Sequence, residues 1–302
     1  MSQSPPPASR PEYLTYLSPP LIFAAAVEAI AGAYVAGEPF VAVRTFLLGA
    51  AAALLYTAGN AFAEYFRRVA AQNRLPSVSP GERQPSVPVL WRWGWLCLFA
   101  GATLPAVAGK MALLIAIGIA LCLVLHAAVT QEIWGLSFLT WGTARGLTLL
   151  LGIAARHEVF GRYAPAALPV LLLAVGLAIM RHSRQPGAPP TTGFMSLVHV
   201  AAAMTVLLYL AVNSFNYRLD ALPFLFLTLA LALPRFVIAI QDPRRPAAVE
   251  ALQYGFMALT AMEATLAAGY AGIRAGVLVT LLGVVVYRLL RRWPLKLVTE
   301  PR

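Results

Sequence analysis

Long apolar runs, broken by short polar or basic stretches, follow one another along almost the whole chain. They cover residues 19–37, 42–64, 92–109, 111–129, 136–155, 164–181, 194–214, 221–240, 252–271 and 275–290. Runs of about 17–22 residues are long enough, as helices, to cross a hydrocarbon layer of ~30 Å. The short alternating segments of a membrane β-barrel are missing, which leaves helices as the spanning structure. The pattern predicts an all-α, polytopic membrane bundle of nine or ten transmembrane helices around a lipid-accessible cavity. Only a few residues part the last two runs, so nine spans and ten both remain open. The organisation that follows is a flexible cytoplasmic tail over 1–18, a helix-bundle domain over 19–293 and a C-terminal tail over 294–302. The two largest polar segments follow spans two and six, a spacing that hints at a repeated four-helix unit without any clear internal repeat.

Composition agrees with this pattern and narrows it. Of 302 residues, 60% are hydrophobic and 12% charged, against about half and a quarter in ordinary soluble domains. A net charge of +11 would suit a nucleic-acid binder, but its placement does not. The Lys and Arg residues lie mainly between apolar runs, where the positive-inside bias puts them. With the N-terminus inside, the basic segments 67–91, 181–190 and 242–250 and the tail holding Arg291, Arg292 and Lys296 are all cytoplasmic; Arg156, Arg162 and Arg274 are exceptions. The same charges suit anionic lipid headgroups or a diphosphate. Trp91, Trp93, Trp95 and Trp293 stand where an interfacial aromatic belt is expected. Cys97 and Cys122 fall inside spans with no metal-ligand spacing and read as small buried hydrophobes. Residues 1–20 show no secretory signal pattern.

Charged residues inside apolar runs are the candidates for chemistry, because a bare charge there is costly and normally faces a wet cavity or a partner. Glu28, Glu132 and Glu263 lie in or at the ends of spans, and Arg145 lies mid-span. Arg145 is either a site residue or half of a helix–helix salt bridge. Glu28 and Glu263 either line the cavity or pair internally. Arg235 can snorkel to the interface. His126 and His199 read as satisfied buried residues, and His157 and His182 as loop residues near arginines. There is no zinc or haem spacing, no glycine-rich phosphate loop and no serine nucleophile elbow.

Several segments, in order along the chain, carry a family resemblance. Tyr56-Thr57-Ala58-Gly59-Asn60-Ala61-Phe62-Ala63-Glu64 resembles the first Asp-rich signature of the UbiA-type intramembrane prenyltransferases, typically N-D-x-x-D. Val27-Glu28-Ala29-Ile30-Ala31-Gly32 resembles an early A-D-x-x-A-G segment. Gly142 to Gly152 resembles G-x-x-R-x-L-N-x-L-L-G, and Ala261 to Gly269 resembles L-D-A-x-L-A-A-G. The last two are similar to the branch encoded in bacterial ebo-type gene clusters. The resemblance implies an integral protein of the bacterial cell (inner) membrane with a UbiA-like helix bundle over 19–293. It implies transfer of an isoprenoid from its diphosphate to a lipid-soluble acceptor, with Mg²⁺ held by two Asp-rich motifs. Asn60, Glu64 and Arg145 are then the expected catalytic residues, Arg67, Arg68, Arg181 and Arg184 the diphosphate-binding ones, and Glu28 and Glu263 polar cavity residues. The expected ligand is an isoprenoid diphosphate or other lipid; protein partners are unknown.

The chain departs from that pattern at the metal. It has two aspartates, Asp220 and Asp242, and neither sits in a D-x-x-x-D pair. Glu64 is the one motif carboxylate, with Arg67 and Ala71 at the next acidic positions. Guanidinium groups beside it compete with a cation, so a family-style Mg²⁺ site is doubtful. Three readings stay open: a divergent prenyltransferase, a catalytically inactive relative that binds an isoprenoid or lipid, and a transporter. The paired broken helices expected of a transporter are not evident.

Overall fold

Each of the ten apolar runs is helical in the computed structural model, which describes residues 18–39, 42–74, 86–129, 133–183, 191–214, 217–241 and 245–293. The long helices are α1 (Pro19–Val35), α2 (Val43–Arg74), α3 (Val87–Thr103), α4 (Lys110–Val129) and α5 (Trp134–Ile153). They continue with α6 (Ala167–His182), α7 (Thr192–Asn213), α8 (Leu222–Gln241), α9 (Arg245–Ala271) and α10 (Ile273–Arg292). Among the described residues there is no strand. Both expected tails, and Arg83, Glu132, Arg184, Asp242, Arg244 and Lys296, lie outside the described residues.

The last two runs are separate helices. Gly272 joins them at φ 96°, a left-handed conformation that an L side chain adopts only with strain. Gly276 packs on Ala268 and Gly283 on Thr260, so one helix advances as the other recedes and the pair is antiparallel. The same reversed pairing joins α2 to α3 (Phe62 on Gly94, Leu55 on Gly101) and α5 to α6 (Gly142 on Val175). It also joins α8 to α9, where Thr228 meets Thr265. The bundle therefore alternates in direction, and one end gathers the start of α1, α5 and α9 with the finish of α2, α4 and α6. That end is called the Arg181 end below.

Eight helices, α2–α8 and α10, are long and apolar enough to cross a membrane, and the chain is an integral multi-pass membrane protein. The other two, α1 and α9, are the ones wrapped by neighbours. α1 packs against α2, α5, α9 and α10, and α9 against α1, α6, α8 and α10. Their charges are thus shielded by protein rather than by headgroups. α3, α7 and α8 lie outermost and present Trp93, Phe99, Phe194, Tyr209 and Phe226 outward, as a lipid-facing surface should.

Two contacts fix the centre. α1 and α5 cross at Gly32 and Gly152, where a Cβ on Gly32 would overlap the Leu149 carbonyl oxygen and one on Gly152 that of Ala29. Small residues let membrane helices approach this closely. On the other flank Phe62 of α2 sits edge-on to Trp91 and Trp95 of α3, with ring centroids 5.6 and 5.5 Å away.

Candidate functional site

Three groups of polar side chains hold the residues singled out from the sequence, and α2 and α5 run past them. The deepest lies near the middle of the helices. Glu28 of α1, Arg145 of α5 and Glu263 of α9 are all 0% exposed. Arg145 Nε stands 3.2 Å from Glu28 Oε2, so the internal ion pair weighed from the sequence is the one found. The Arg145 guanidinium carbon lies 5.4 Å from the centre of the Tyr56 ring and 5.9 Å from that of Trp141. The Thr148 hydroxyl donates to the Tyr56 oxygen at 3.5 Å. None of the charged atoms of Glu28, Arg145 or Glu263 has an aligned hydrogen-bond partner among the described residues.

A second group closes the end of α2. Tyr56, Asn60, Glu64 and Arg68 follow at four-residue intervals and form one ridge of the helix. Arg67 forks onto Glu64 through Nε and Nη2 at 2.9 and 2.6 Å, and Arg68 Nε donates to the same carboxylate at 2.6 Å. Both Glu64 oxygens are therefore engaged by guanidinium groups, and the cluster carries a net positive charge. Mg²⁺ needs several hard oxygen ligands in octahedral array. The residues present do not fit that demand: Glu64 is neutralised, and no group of three or more His, Cys, Asp or Glu gathers among the described residues. Asp220, at the start of α8, belongs to the opposite end.

The third group lines a cavity of about 30 Å³ at the Arg181 end, room for roughly two waters. Its walls include His126 of α4, Ser137 and Trp141 of α5, and Arg181 and His182 of α6. Arg181 Nε is buried with no hydrogen-bond partner among the described residues. His126 Nδ1 lies 3.1 Å from the Ser137 carbonyl, which fixes its ring. Among the described residues no carboxylate lines this cavity, so they offer it donors and positive charge. Beside it, a lateral groove of about 210 Å³ runs along α5, α6 and α7, lined by Phe138, Leu139, Val175, Ile179, Met195 and His199. Phe138 stands between the two spaces, its ring 4.9 Å from that of His182.

The structure thus brings Glu28, Arg145 and Glu263 together, and Glu64, Arg67 and Arg68 together, while Arg181 stands in a separate pocket. Trp141 links that pocket to the central group through α5. Asn60 lies on the α2 ridge between Tyr56 and Glu64. The sequence places His182 beside Arg181, though as a loop residue rather than the last residue of α6; it does not join His126 to them. The available signal was helix direction: both histidines sit near the ends of helices that finish together. Arg235 does not simply snorkel; its Nη1 donates to Glu250 at 2.9 Å.

A helical membrane bundle with a basic pocket at one end is the class that fold and site define, and solved structures share its fold. A structure of digeranylgeranylglyceryl phosphate synthase matches with a TM-score of 0.63 and 15% identity, over 86% of this chain and 99% of that one. A UbiA homologue from Aeropyrum pernix K1, without ligand, matches with a TM-score of 0.64 and 15% identity, over 85% and 98%. At that identity the likeness establishes a shared fold. No protein-family model and no curated protein matches the chain.

Proposed function

We propose that this protein is a divergent UbiA-like prenyltransferase that takes an isoprenoid diphosphate from the membrane without a family-style metal site. The observation that carries the reading is the juxtaposition of a basic pocket, with no carboxylate among its described lining residues, and an apolar groove across Phe138. The first has the chemistry for a phosphate head and must widen from about 30 Å³ to admit one; the second suits an isoprenoid tail. Guanidinium forks match phosphate oxygens, so Arg181, with Arg67 and Arg68 as further cations of the same end and Arg184 expected from the sequence to add another, would take the charge that Mg²⁺ takes elsewhere. In the transfer, the allylic C–O bond breaks, the diphosphate leaves as an anion towards these cations, and the acceptor attacks the allylic carbon and loses a proton. Stabilising the leaving charge in a dry site is the main demand of such a step. On this reading Asn60 and Glu64 would act from the neighbouring ridge of α2, and Arg145 with Glu28 and Glu263 would support the pocket from deeper in the bundle through Trp141. The Arg181 end is cytoplasmic on this reading, in a bacterial inner membrane, and membership of the ebo-type branch belongs to the same proposal.

A second reading is favoured by one observation. Glu64, the motif carboxylate, is bound by two arginines, as in a relative that binds an isoprenoid or lipid phosphate without turnover. Purified protein given radiolabelled geranyl or farnesyl diphosphate, a membrane extract and EDTA separates the two. Diphosphate release supports transfer. Binding without release supports the silent relative, and neither binding nor release rejects both. Arg181→Ala should weaken binding of a non-hydrolysable analogue by about tenfold or more, the worth of a charged hydrogen bond of ~1.5–3 kcal/mol. Unchanged binding would remove Arg181 from the site.

A further inference from the structure

The central group contains two carboxylates and one guanidinium, and this count does not balance. Glu28 and Arg145 pair at 3.2 Å. Glu263 makes no salt bridge among those found in the described residues, and neither of its oxygens has a hydrogen-bond partner there. The charged groups acting on it are Glu28 from α1, which repels its anion, and Arg145 from α5, already paired. Tyr56 of α2 reaches Arg145 rather than Glu263. On its own helix the neighbouring Thr265 hydroxyl is occupied by Ala261 and by Thr228 of α8. An unpaired carboxylate fully enclosed by protein and lipid costs several kcal/mol, on the order of a buried charge left without its counter-ion. Some positive species must complete the group.

A metal cation is a poor candidate. Two carboxylates from different helices, with a guanidinium between them, supply too few oxygens and place a fixed positive charge where the ion would sit. A proton needs one oxygen and no extra room. We propose that Glu263 is a proton-binding site near the middle of the membrane, a neutral carboxylic acid beside the Glu28–Arg145 ion pair. The group as a whole is then neutral. A neutral Glu263 also no longer repels the Glu28 carboxylate. The inference does not rest on isoprenoid chemistry; it follows from charge, burial and the three helices that meet there.

The test uses the full-length protein in detergent or nanodiscs. Glu263→Gln mimics a neutral acid in size and charge. The expected result is an unchanged monodisperse protein with a melting temperature within a few degrees of wild type. Glu28→Gln/Glu263→Gln removes both possible counter-ions of Arg145 and should fail to accumulate or melt far lower. Infrared spectroscopy of the wild type at neutral pH should show the carbonyl band of an un-ionised carboxylic acid, shifted in heavy water and lost in Glu263→Gln. A Glu263→Gln protein that unfolds, or no acid band lost on that substitution, overturns the proposal. So does a sodium-dependent rise in wild-type melting temperature that Glu263→Gln abolishes, because a metal cation would then hold the place of the proton.

Discussion

Glu64 makes opposite predictions under two chemistries, and the residue itself can decide between them. As a metal ligand its loss would abolish binding of a diphosphate. As found, its carboxylate ties down Arg67 and Arg68, so Glu64→Gln should free two cations at the Arg181 end. The expected outcome is a several-fold tighter Kd for a non-hydrolysable isoprenoid diphosphate in EDTA, read by calorimetry, with a melting temperature lower by a few degrees. Arg67, 59% exposed, contributes little of that fall, since exposed ion pairs are worth only about 0–1 kcal/mol; most of it comes from Arg68, which like Glu64 is 9% exposed. The buried ion pair of Arg145 and Glu28 is different in kind, because breaking one partner leaves a charge with nowhere to go.

Single helices meet through small residues and aromatic wedges, and these contacts carry their own predictions. Gly152→Leu would drive a side chain into the Ala29 carbonyl of α1. Overpacking of a filled interior costs about 1–3 kcal/mol or more, and here no flexible neighbour can yield. Loss of the monodisperse peak in detergent is the expected readout. Phe62→Ala, at 1% exposure, should cost about 3–5 kcal/mol through the void left under Trp91 and Trp95, measured as a fall in melting temperature with α1 and α5 still protected from exchange. Much of the helical order was legible beforehand: ten apolar runs gave ten helices, because span length and hydrophobicity are local properties. The α9–α10 division was legible in Gly272 only once its positive φ was known. Which helices are central was not legible, since α1 and α9 read as two runs among many. Only the pairing of Gly32 with Gly152, a non-local contact, places α1 inside.

The whole molecule has a hard interior and a lipid-facing rim. Hydrogen exchange in nanodiscs should be slowest in α1 and α9 and faster in α3, α7 and α8, whose outward faces lack protein neighbours. The site was only partly legible for the same reason. Glu28, Arg145 and Glu263 stood out as charges in apolar runs, and the cost of burying them correctly marked all three. That they meet one another depends on three helices far apart in the chain. Of the basic pocket, Arg181 and its neighbour His182 were legible as a basic segment, while His126 looks ordinary by itself; its meaning comes from helix ends that gather on one side of the bundle.

The central place of α1 also bears on how the protein is made. Helices leave the ribosome in order, and α1 is ready long before α9 and α10, which complete its surroundings. Glu28 must therefore wait in the bilayer, first alone and then beside Arg145, while most of the protein is still being translated. A chain ending after Gln241 would leave the Glu28–Arg145 pair and the face of α1 that α9 and α10 cover open to lipid, and should be degraded rather than accumulate, as pulse-chase labelling would show. Insertion of this protein is thus a race between synthesis of its final hairpin and quality control acting on an exposed first helix.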